Sequence, residues 1–319
     1  MVQPLAEGAP RLDPRKFRDP AITAAGEPRA QVALKALETL WFNTGTLCNL
    51  TCANCYIESS PTNDRLAYLN AGEVAAYLDE IERENLPTDL IGFTGGEPFL
   101  NRELPAMLDE AMARGFRTIV LTNAMKPMHH RKTELLRLRD RYGDRLTVRV
   151  SIDHYGAPVH EAERGRGSWR LTIEGLLWLA QNRFTVHVAS RYLSGEPEAA
   201  LRRGFARLFT ELGAGIDADD PMALMIFPEM DATVDVPEIT TACWPILGKS
   251  PDSVMCATAR MIVKRKGEPR PSVVACTLLP YQKAFDLGPD LVGACVPVPL
   301  NHPHCAKFCV LGGAACSRQ

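Results

Sequence analysis

Short apolar runs, separated by segments of helical spacing, dominate the chain from Leu37 onward. The run that starts at Leu146 alternates strictly with polar residues, and this period of two is typical of a β-strand. It places Ser151 and Asp153 on the same face of that strand. The six runs that predict strands lie at residues 37–42, 90–93, 118–121, 146–153, around 186–188 and 223–227.

Helical patterns fill the gaps between these strands. Asn70 with Glu73 has the form of a capping box, which marks the start of a helix. Apolar residues then follow at helical spacing up to Ile81. The same spacing predicts four further helices, around residues 104–111, 133–142, 173–180 and 197–212.

This order of strands and helices predicts an α/β fold with a parallel, curved sheet. Consecutive right-handed βαβ crossovers produce such units of roughly thirty residues. Six units are fewer than the eight that close a full barrel, so we expect a partial (β/α)6 TIM-type barrel with one open side. The predicted boundaries are a tail over 1–36, the barrel over 37–235 and a small cysteine-rich domain over 236–319.

Composition and charge limit the classes of partner that the protein is expected to bind. The 319 residues are 46% hydrophobic and 23% charged, an ordinary globular composition. The net charge of -2 lacks the basic excess of a nucleic-acid-binding protein. No signal-type segment or bilayer-length apolar run occurs, so we expect a cytoplasmic protein without nucleic-acid or membrane partners.

The 10 cysteines are unusual for such a chain. A long chain without an export signal does not need disulfides, so metal ligation is the better interpretation. Three cysteines lie early, and the other seven follow a long cysteine-free stretch. The seven late cysteines are Cys243, Cys256, Cys276, Cys295, Cys305, Cys309 and Cys316.

The early group is Cys48, Cys52 and Cys55, in a loop directly after the first predicted strand. In α/β barrels such loops build the active site. Three cysteines can hold three irons of a [4Fe-4S] cluster and leave the fourth iron open. The alternative is a structural zinc site, for which the sequence offers only distant fourth ligands such as His129 and His130.

Two further motifs follow later strands. Thr94-Gly95-Gly96-Glu97-Pro98 comes after the second strand, where glycines permit close backbone approach and a carboxylate suits an ammonium group. After the fourth strand come Ser151 and Asp153, then His160 to Gly165, which includes Arg164, and then Gly167-Ser-Trp. Taken singly, these residues also have purely structural interpretations: the glycines as a tight turn, Ser151 as a strand-end hydroxyl and Arg164 as a surface arginine.

Together the three motifs resemble the radical S-adenosylmethionine superfamily, whose signature is CxxxCxxC after the first strand of a six-unit partial barrel. The resemblance implies that the open iron chelates S-adenosylmethionine and that cluster-driven cleavage yields a 5′-deoxyadenosyl radical. Glu161 replaces the usual aspartate of the third motif, and the glycine-rich adenine motif is not evident. The cofactor-binding residues that the resemblance implies are Tyr56, Gly95, Gly96, Glu97, Ser151, Asp153 and Arg164.

By the same resemblance, Gly95 to Glu97 would bind the amino end of the cofactor, and Ser151 and Arg164 its carboxylate. Other polar residues at predicted strand ends could line the pocket or be structural. They are Asn43, Glu58, Asn123, His154, His187 and Arg191.

The late cysteines resemble the SPASM and twitch extensions of this superfamily, which hold auxiliary iron–sulfur clusters. Val273 to Cys276 has the look of a hairpin strand. We expect at least one auxiliary cluster, held by four of the five residues Cys256, Cys276, Cys305, Cys309 and Cys316. Cys243 and Cys295 are expected to be small buried hydrophobes. The alternatives are that either is a ligand of a second auxiliary cluster or that Cys243 is a hydrogen-atom donor near the barrel mouth. Structural zinc with His302 and His304 is the alternative.

The resemblance implies a radical enzyme that abstracts hydrogen from its substrate. An electron donor such as flavodoxin or ferredoxin would supply the cluster. No winged-helix pattern for peptide recognition precedes Cys48, which favours oxidation or rearrangement of a small metabolite. The alternatives are a peptide maturase with a separate recognition partner and, from another class, a non-catalytic metal-binding sensor or scaffold.

Overall fold

The computed structural model describes residues 10–229 and 231–313. Ten strands form one large and one small sheet. The strands are β1 (Gln31–Val32), β2 (Thr39–Asn43), β3 (Leu90–Thr94), β4 (Arg117–Thr122), β5 (Leu146–Ser151), β6 (Thr185–Arg191), β7 (Leu224–Phe227), β8 (Ala259–Val263), β9 (Ser272–Val274) and β10 (Val298–Pro299).

The helices of the described residues cross between the strands and end the chain. They are α1 (Ala71–Arg83), α2 (Leu104–Ala113), α3 (Lys126–His129), α4 (Lys132–Tyr142), α5 (Ala157–Arg164), α6 (Ser168–Gln181), α7 (Glu198–Leu212) and α8 (Cys243–Leu247), with a π-helix at Cys305–Leu311. Short 3-10 turns lie at Pro98–Leu100, Gly143–Arg145, Pro251–Ser253, Met255–Ala257 and Lys283–Phe285.

The large sheet confirms the predicted partial barrel. Its strand order is β7-β6-β5-β4-β3-β2-β8-β9, and β2 to β7 are parallel neighbours in chain order. These six strands are the six that the apolar runs predict. Since all of them run the same way, the loops after their carboxyl ends meet at one edge of the sheet.

The capping box at the start of α1 is also confirmed. The Asn70 side chain accepts from the backbone N–H of Glu73, and the Glu73 side chain accepts from the backbone N–H of Asn70. The apolar residues of this helix at helical spacing, which end at Ile81, are buried against the sheet. The cap therefore fixes where the crossover after β2 begins, and the apolar face fixes how it packs.

The C-terminal segment extends the barrel sheet. Strand β8 lies parallel to β2, with Phe42 opposite Ile262, and β9 returns antiparallel as the predicted hairpin. Residues before β2 form a strap, in which β1 pairs with β10 and Arg29 bridges to Thr240. The outer edge of β2, the first strand of the barrel, is therefore paired with β8, which is distant in sequence.

No helix among the described residues is long and apolar enough to span a bilayer.

Candidate active site

A cavity opens at the carboxyl ends of the barrel strands. Its wall brings together nine of the ten residues predicted for the cofactor site and its cluster, which come from the loops after β2 and β3, from the end of β5 and from α5. The nine are Cys48, Cys52, Cys55, Tyr56, Gly95, Gly96, Ser151, Asp153 and Arg164.

The three cysteines of the loop after β2 face this cavity. The backbone N–H of Leu50 donates to the Cys48 sulfur at 3.4 Å, and that of Ser59 donates to the Cys55 sulfur at 3.3 Å. Burial raises the pKa of the Cys48 thiol to about 12 and that of Cys52 to about 11. Within the described residues no other cysteine lines this cavity, so it offers three sulfur ligands.

The glycine pair after β3 packs against the cysteine loop. A Cβ on Gly96 would lie 2.3 Å from the carbonyl oxygen of Leu47, and one on Gly95 would lie 2.5 Å from that of Gly45. The backbone N–H of Gly96 donates to the Gly45 carbonyl at 2.9 Å. The close approach that the sequence predicts is therefore to protein backbone, although both glycines also line the cavity.

Glu97 differs from the expectation that its carboxylate is available to an ammonium group. The side chain is buried and is not part of the cavity wall. Its carboxylate accepts from the Thr122 hydroxyl at 2.8 Å and from the backbone N–H groups of Asn123 at 2.8 Å and Phe99 at 3.2 Å. Burial raises the pKa of Glu97 to about 7, and these three donors oppose the rise. Glu97 therefore joins the loop after β3 to the end of β4.

Asp153 and Arg164 form a buried ion pair beside the cysteines. The Arg164 Nε donates to one carboxylate oxygen of Asp153 at 2.5 Å, and its Nη2 donates to the other at 3.1 Å. Burial alone would raise the pKa of Asp153, but the charge and hydrogen bonds of Arg164 hold it below its usual value. The pair fixes the guanidinium in the cavity wall next to Ser151.

A second ion pair in the wall was not predicted. Arg191 at the end of β6 donates to the Glu163 carboxylate and to the Asn54 carbonyl, both at 2.9 Å. Glu163 also accepts from the Asn54 backbone N–H at 2.8 Å. The Arg191 guanidinium lies over the Tyr56 ring, 4.8 Å from its centre. Strand-end position pointed to Arg191, but nothing in the sequence pattern pointed to Glu163.

Of the remaining strand-end candidates, one lines the cavity and the others lie outside its wall. Asn123 lines the cavity, and its side-chain amide donates to the Asn49 side chain at 2.9 Å. His154 instead pairs with Glu196 at 2.8 Å, outside the cavity wall. Asn43, Glu58 and His187 also lie outside that wall.

A second, smaller cavity lies in the C-terminal segment. Four of the predicted auxiliary ligands line it, together with His304 and apolar side chains: Cys256, Cys276, Cys305 and Cys309. Burial raises the pKa of the Cys256 thiol to about 11 and that of Cys305 to about 12. Cys316 lies outside the described residues.

Cys243 and Cys295 do not line this second cavity. Cys243 is partly buried, and the backbone N–H of Thr240 donates to its sulfur at 3.4 Å. Cys295 is exposed. Within the described residues, no three Cys, His, Asp or Glu side chains are grouped closely enough to hold a single metal ion.

Comparison with known families decides the classification of the chain. The sequence model of the Radical SAM superfamily matches residues 42–202, which is half of the chain. The chain belongs to the Radical SAM superfamily. The match begins in β2 and includes the cysteine loop, the glycine pair and both ion pairs of the first cavity.

Curated relatives match part of the chain. The antilisterial bacteriocin subtilosin biosynthesis protein AlbA of Bacillus subtilis (strain 168) is 31% identical over 169 residues, which cover 53% of this chain and 35% of the relative. The mycofactocin maturase MftC of Mycolicibacterium smegmatis is 28% identical over 138 residues, 43% of this chain and 33% of the relative. The matched region thus spans about a third of each relative's length.

Solved structures share the fold at low sequence identity. Streptococcus suis SuiB bound to S-adenosylmethionine superposes with a TM-score of 0.59 at 11% identity, over 80% of this chain and 63% of SuiB. The enzyme anSMEcpe with bound AdoMet gives a TM-score of 0.57 at 14% identity, over 79% of this chain and 74% of that one. These likenesses support the radical SAM partial barrel as the fold.

Proposed function

We propose that this radical SAM enzyme cleaves S-adenosylmethionine reductively in the first cavity and abstracts hydrogen from a substrate held at the cavity mouth. The observation that carries the proposal is that three thiols, two glycines and an ion-paired arginine meet in one cavity, although they come from different parts of the chain. The alternative of a non-catalytic sensor gives no reason for this convergence.

The donor set fits the expected groups. Cys48, Cys52 and Cys55 would hold a [4Fe-4S] cluster and leave one iron open, because no other described cysteine lines this cavity. These groups would supply the radical chemistry: the reduced cluster would give one electron to the sulfonium of S-adenosylmethionine, whose C5′–S bond would break to methionine and a 5′-deoxyadenosyl radical, and this radical would take a hydrogen atom from the substrate to become 5′-deoxyadenosine. We infer that flavodoxin or ferredoxin supplies this electron.

The chain's own residues position the cofactor. Arg164 would bind its carboxylate together with Ser151, and Asp153 holds the guanidinium in place by two hydrogen bonds, which reduces the entropy lost on binding. The backbone at Gly95 and Gly96 would receive the amino group. Glu97 would act indirectly, because its carboxylate is already bonded to protein donors.

A second cluster is proposed for the C-terminal cavity. Four thiolates are enough for one [4Fe-4S] cluster, and Cys256, Cys276, Cys305 and Cys309 all line this cavity. The other lining residues apart from His304 are apolar, such as Leu279. Such apolar surroundings are better suited to a cluster that accepts or passes on an electron than to the binding of a polar ligand.

For the substrate, we infer a peptide in place of the small metabolite favoured by the sequence alone. AlbA is named for the biosynthesis of a bacteriocin, and SuiB has been crystallised with its precursor peptide SuiA. The wall of the cavity holds Phe227 at the end of β7 and Thr277 and Leu278 of the C-terminal segment. Together these two apolar side chains and one hydroxyl would hold a peptide residue next to the cofactor.

The first experiment tests cleavage. The protein is reconstituted anaerobically with iron and sulfide, reduced, and assayed for 5′-deoxyadenosine. We expect formation by the wild type and by Cys295→Ala, and none by Cys52→Ala. A wild type that holds a complete first cluster and binds S-adenosylmethionine but forms no 5′-deoxyadenosine would favour the sensor.

The second experiment tests the substrate class. Short peptides encoded beside this gene are incubated with the reduced enzyme and analysed by mass spectrometry for lost hydrogen or new cross-links. A modified peptide is the expected result. Turnover of a small alcohol or amine, with every such peptide unchanged, would restore the metabolite alternative.

A further inference from the structure

Two buried arginines of this chain form ion pairs, Arg29 with Glu238 at 2.5 Å and Arg191 with Glu163 at 2.9 Å. Arg260 on β8 is also buried and is only 1% exposed. Among the described residues, no carboxylate lies within 4.0 Å of its guanidinium. Arg260 is therefore a buried cation without an anionic side chain to balance it.

Backbone carbonyls satisfy the hydrogen bonds of Arg260 but not its charge. Its Nη1 donates to the carbonyls of Cys256 at 2.6 Å and Ala259 at 2.9 Å. Its Nε donates to Ala294 at 3.1 Å, and its Nη2 to Val296 at 3.1 Å. A guanidinium stays protonated in proteins, and burying it without a counter-charge is unfavourable. The fold keeps this unfavourable charge next to Cys256.

The hydrogen bond to the Cys256 carbonyl places this charge beside a predicted ligand of the auxiliary cluster. Cys256 and Cys276 both line the second cavity, and the Cys256 backbone is in direct contact with the guanidinium. The cation thus lies behind the wall of the proposed auxiliary site.

An iron–sulfur cluster held by four thiolates carries a net negative charge, which grows by one on reduction. Nearby charge and hydrogen bonding set the reduction potential of such a cluster. We propose that Arg260 is the built-in counter-charge of the auxiliary cluster and that it raises the reduction potential of that cluster. The inference rests on the proposed auxiliary site, and it assigns the C-terminal cavity the role of an electron acceptor.

The test is a potentiometric titration of the reconstituted protein followed by electron paramagnetic resonance. In Arg260→Gln the auxiliary cluster should become harder to reduce, by about tenfold in the equilibrium constant or about 59 mV for one electron. Arg260→Lys keeps the charge and should restore most of the wild-type potential. The first cluster of the same sample is the internal control, and exposed Arg170→Gln is the matched substitution.

Each outcome decides the proposal. An unchanged potential in Arg260→Gln would overturn it. So would an equal shift in Arg260→Lys and Arg260→Gln, because a purely structural arginine would be sensitive to both. If Arg260→Gln does not fold, Arg260→Met is measured instead, and failure of both neutral variants to fold with iron present would mean a structural role. Iron analysis of the wild type separates these results from the absence of an auxiliary cluster.

Discussion

The two cysteine cavities of this protein use the same ligand type in opposite surroundings. Around the first cavity, Asp153 pairs with Arg164 and Glu163 with Arg191, so polar groups are plentiful and their charges are balanced. Around the second, apolar side chains predominate, and the buried Arg260, which has no ion pair among the described residues, donates to the Cys256 carbonyl. Burial raises the pKa of thiols in both.

The difference teaches that ligand type does not decide what a cysteine cavity can do. A wall of balanced charges and hydrogen-bond donors can bind a polar nucleoside next to the metal. An apolar wall beside one cation suits a cluster that passes on an electron, which is the role we propose for the second cavity. The proposed chemistry on a ligand belongs to the first cavity.

The largest expected effect is on the first cavity. Cys52→Ala removes one of three cluster ligands, and we expect S-adenosylmethionine cleavage to fall by at least roughly a thousandfold, because the cofactor carries the reaction. Anaerobic chromatography of 5′-deoxyadenosine measures this. Cys295→Ala, at an exposed cysteine outside both cavities, is the control. Cleavage at near wild-type rate in Cys52→Ala would remove the distinction between the two cavities.

The next effect separates the cavities directly. Cys276→Ala should lose the auxiliary iron yet keep at least part of the S-adenosylmethionine cleavage, while substrate turnover stops. Iron analysis and parallel assays of 5′-deoxyadenosine and modified substrate measure the three quantities. Full loss of cleavage with an intact first cluster would mean that the two cavities do not act separately.

A smaller effect concerns the contact that shapes the first cavity. Gly96→Ala should lower the free energy of unfolding by about 1–3 kcal/mol, because the new Cβ would overlap the backbone of Leu47. Gly72→Ala in α1 is the matched control, since its Cβ meets only the Asn70 side chain at 3.4 Å. Urea denaturation of the iron-free proteins compares them. Equal stability of Gly96→Ala and Gly72→Ala would show that the two loops are not tightly packed.

The smallest effect is a pH dependence near the first cavity. His160 is buried against Trp169, and burial lowers its pKa to about 4. The unfolded chain binds this proton near pH 6.5, so stability is present above that pH and is lost as pH falls towards 4. We expect a loss of about 1–3 kcal/mol from this residue.

In His160→Phe the stability curve should be shallower over this interval, and in exposed His130→Phe it should not. Urea denaturation at several pH values gives both curves. Parallel curves for wild type and His160→Phe would contradict a buried neutral histidine.

Local patterns predicted the elements of the fold well. The six barrel strands, the cap at Asn70 and the hairpin strand at Val273 each depend on neighbouring residues, which is why period and capping signals found them. The pairing of β8 with β2 was not predicted, because it joins segments more than two hundred residues apart. Periodicity carries no information on such a partner.

The sequence predicted the ligands of the candidate site but not the ion pairs and hydrogen bonds that hold its loops together. Cys48, Cys52 and Cys55 are visible as a spacing, whereas the Arg191 and Glu163 pair depends on how α5 packs against β6. Glu97 lies in a recognisable motif, yet only three-dimensional packing shows that its carboxylate faces Thr122. Charge balance around a cavity therefore has to be seen in the fold.

The central claim is tested most directly by an anaerobic crystal structure of the reconstituted protein with S-adenosylmethionine. The account predicts a cluster bound through three irons to Cys48, Cys52 and Cys55, with the amino and carboxylate groups of the ligand on the fourth iron. A single tetrahedral ion enclosed by these thiols and an imidazole would contradict it.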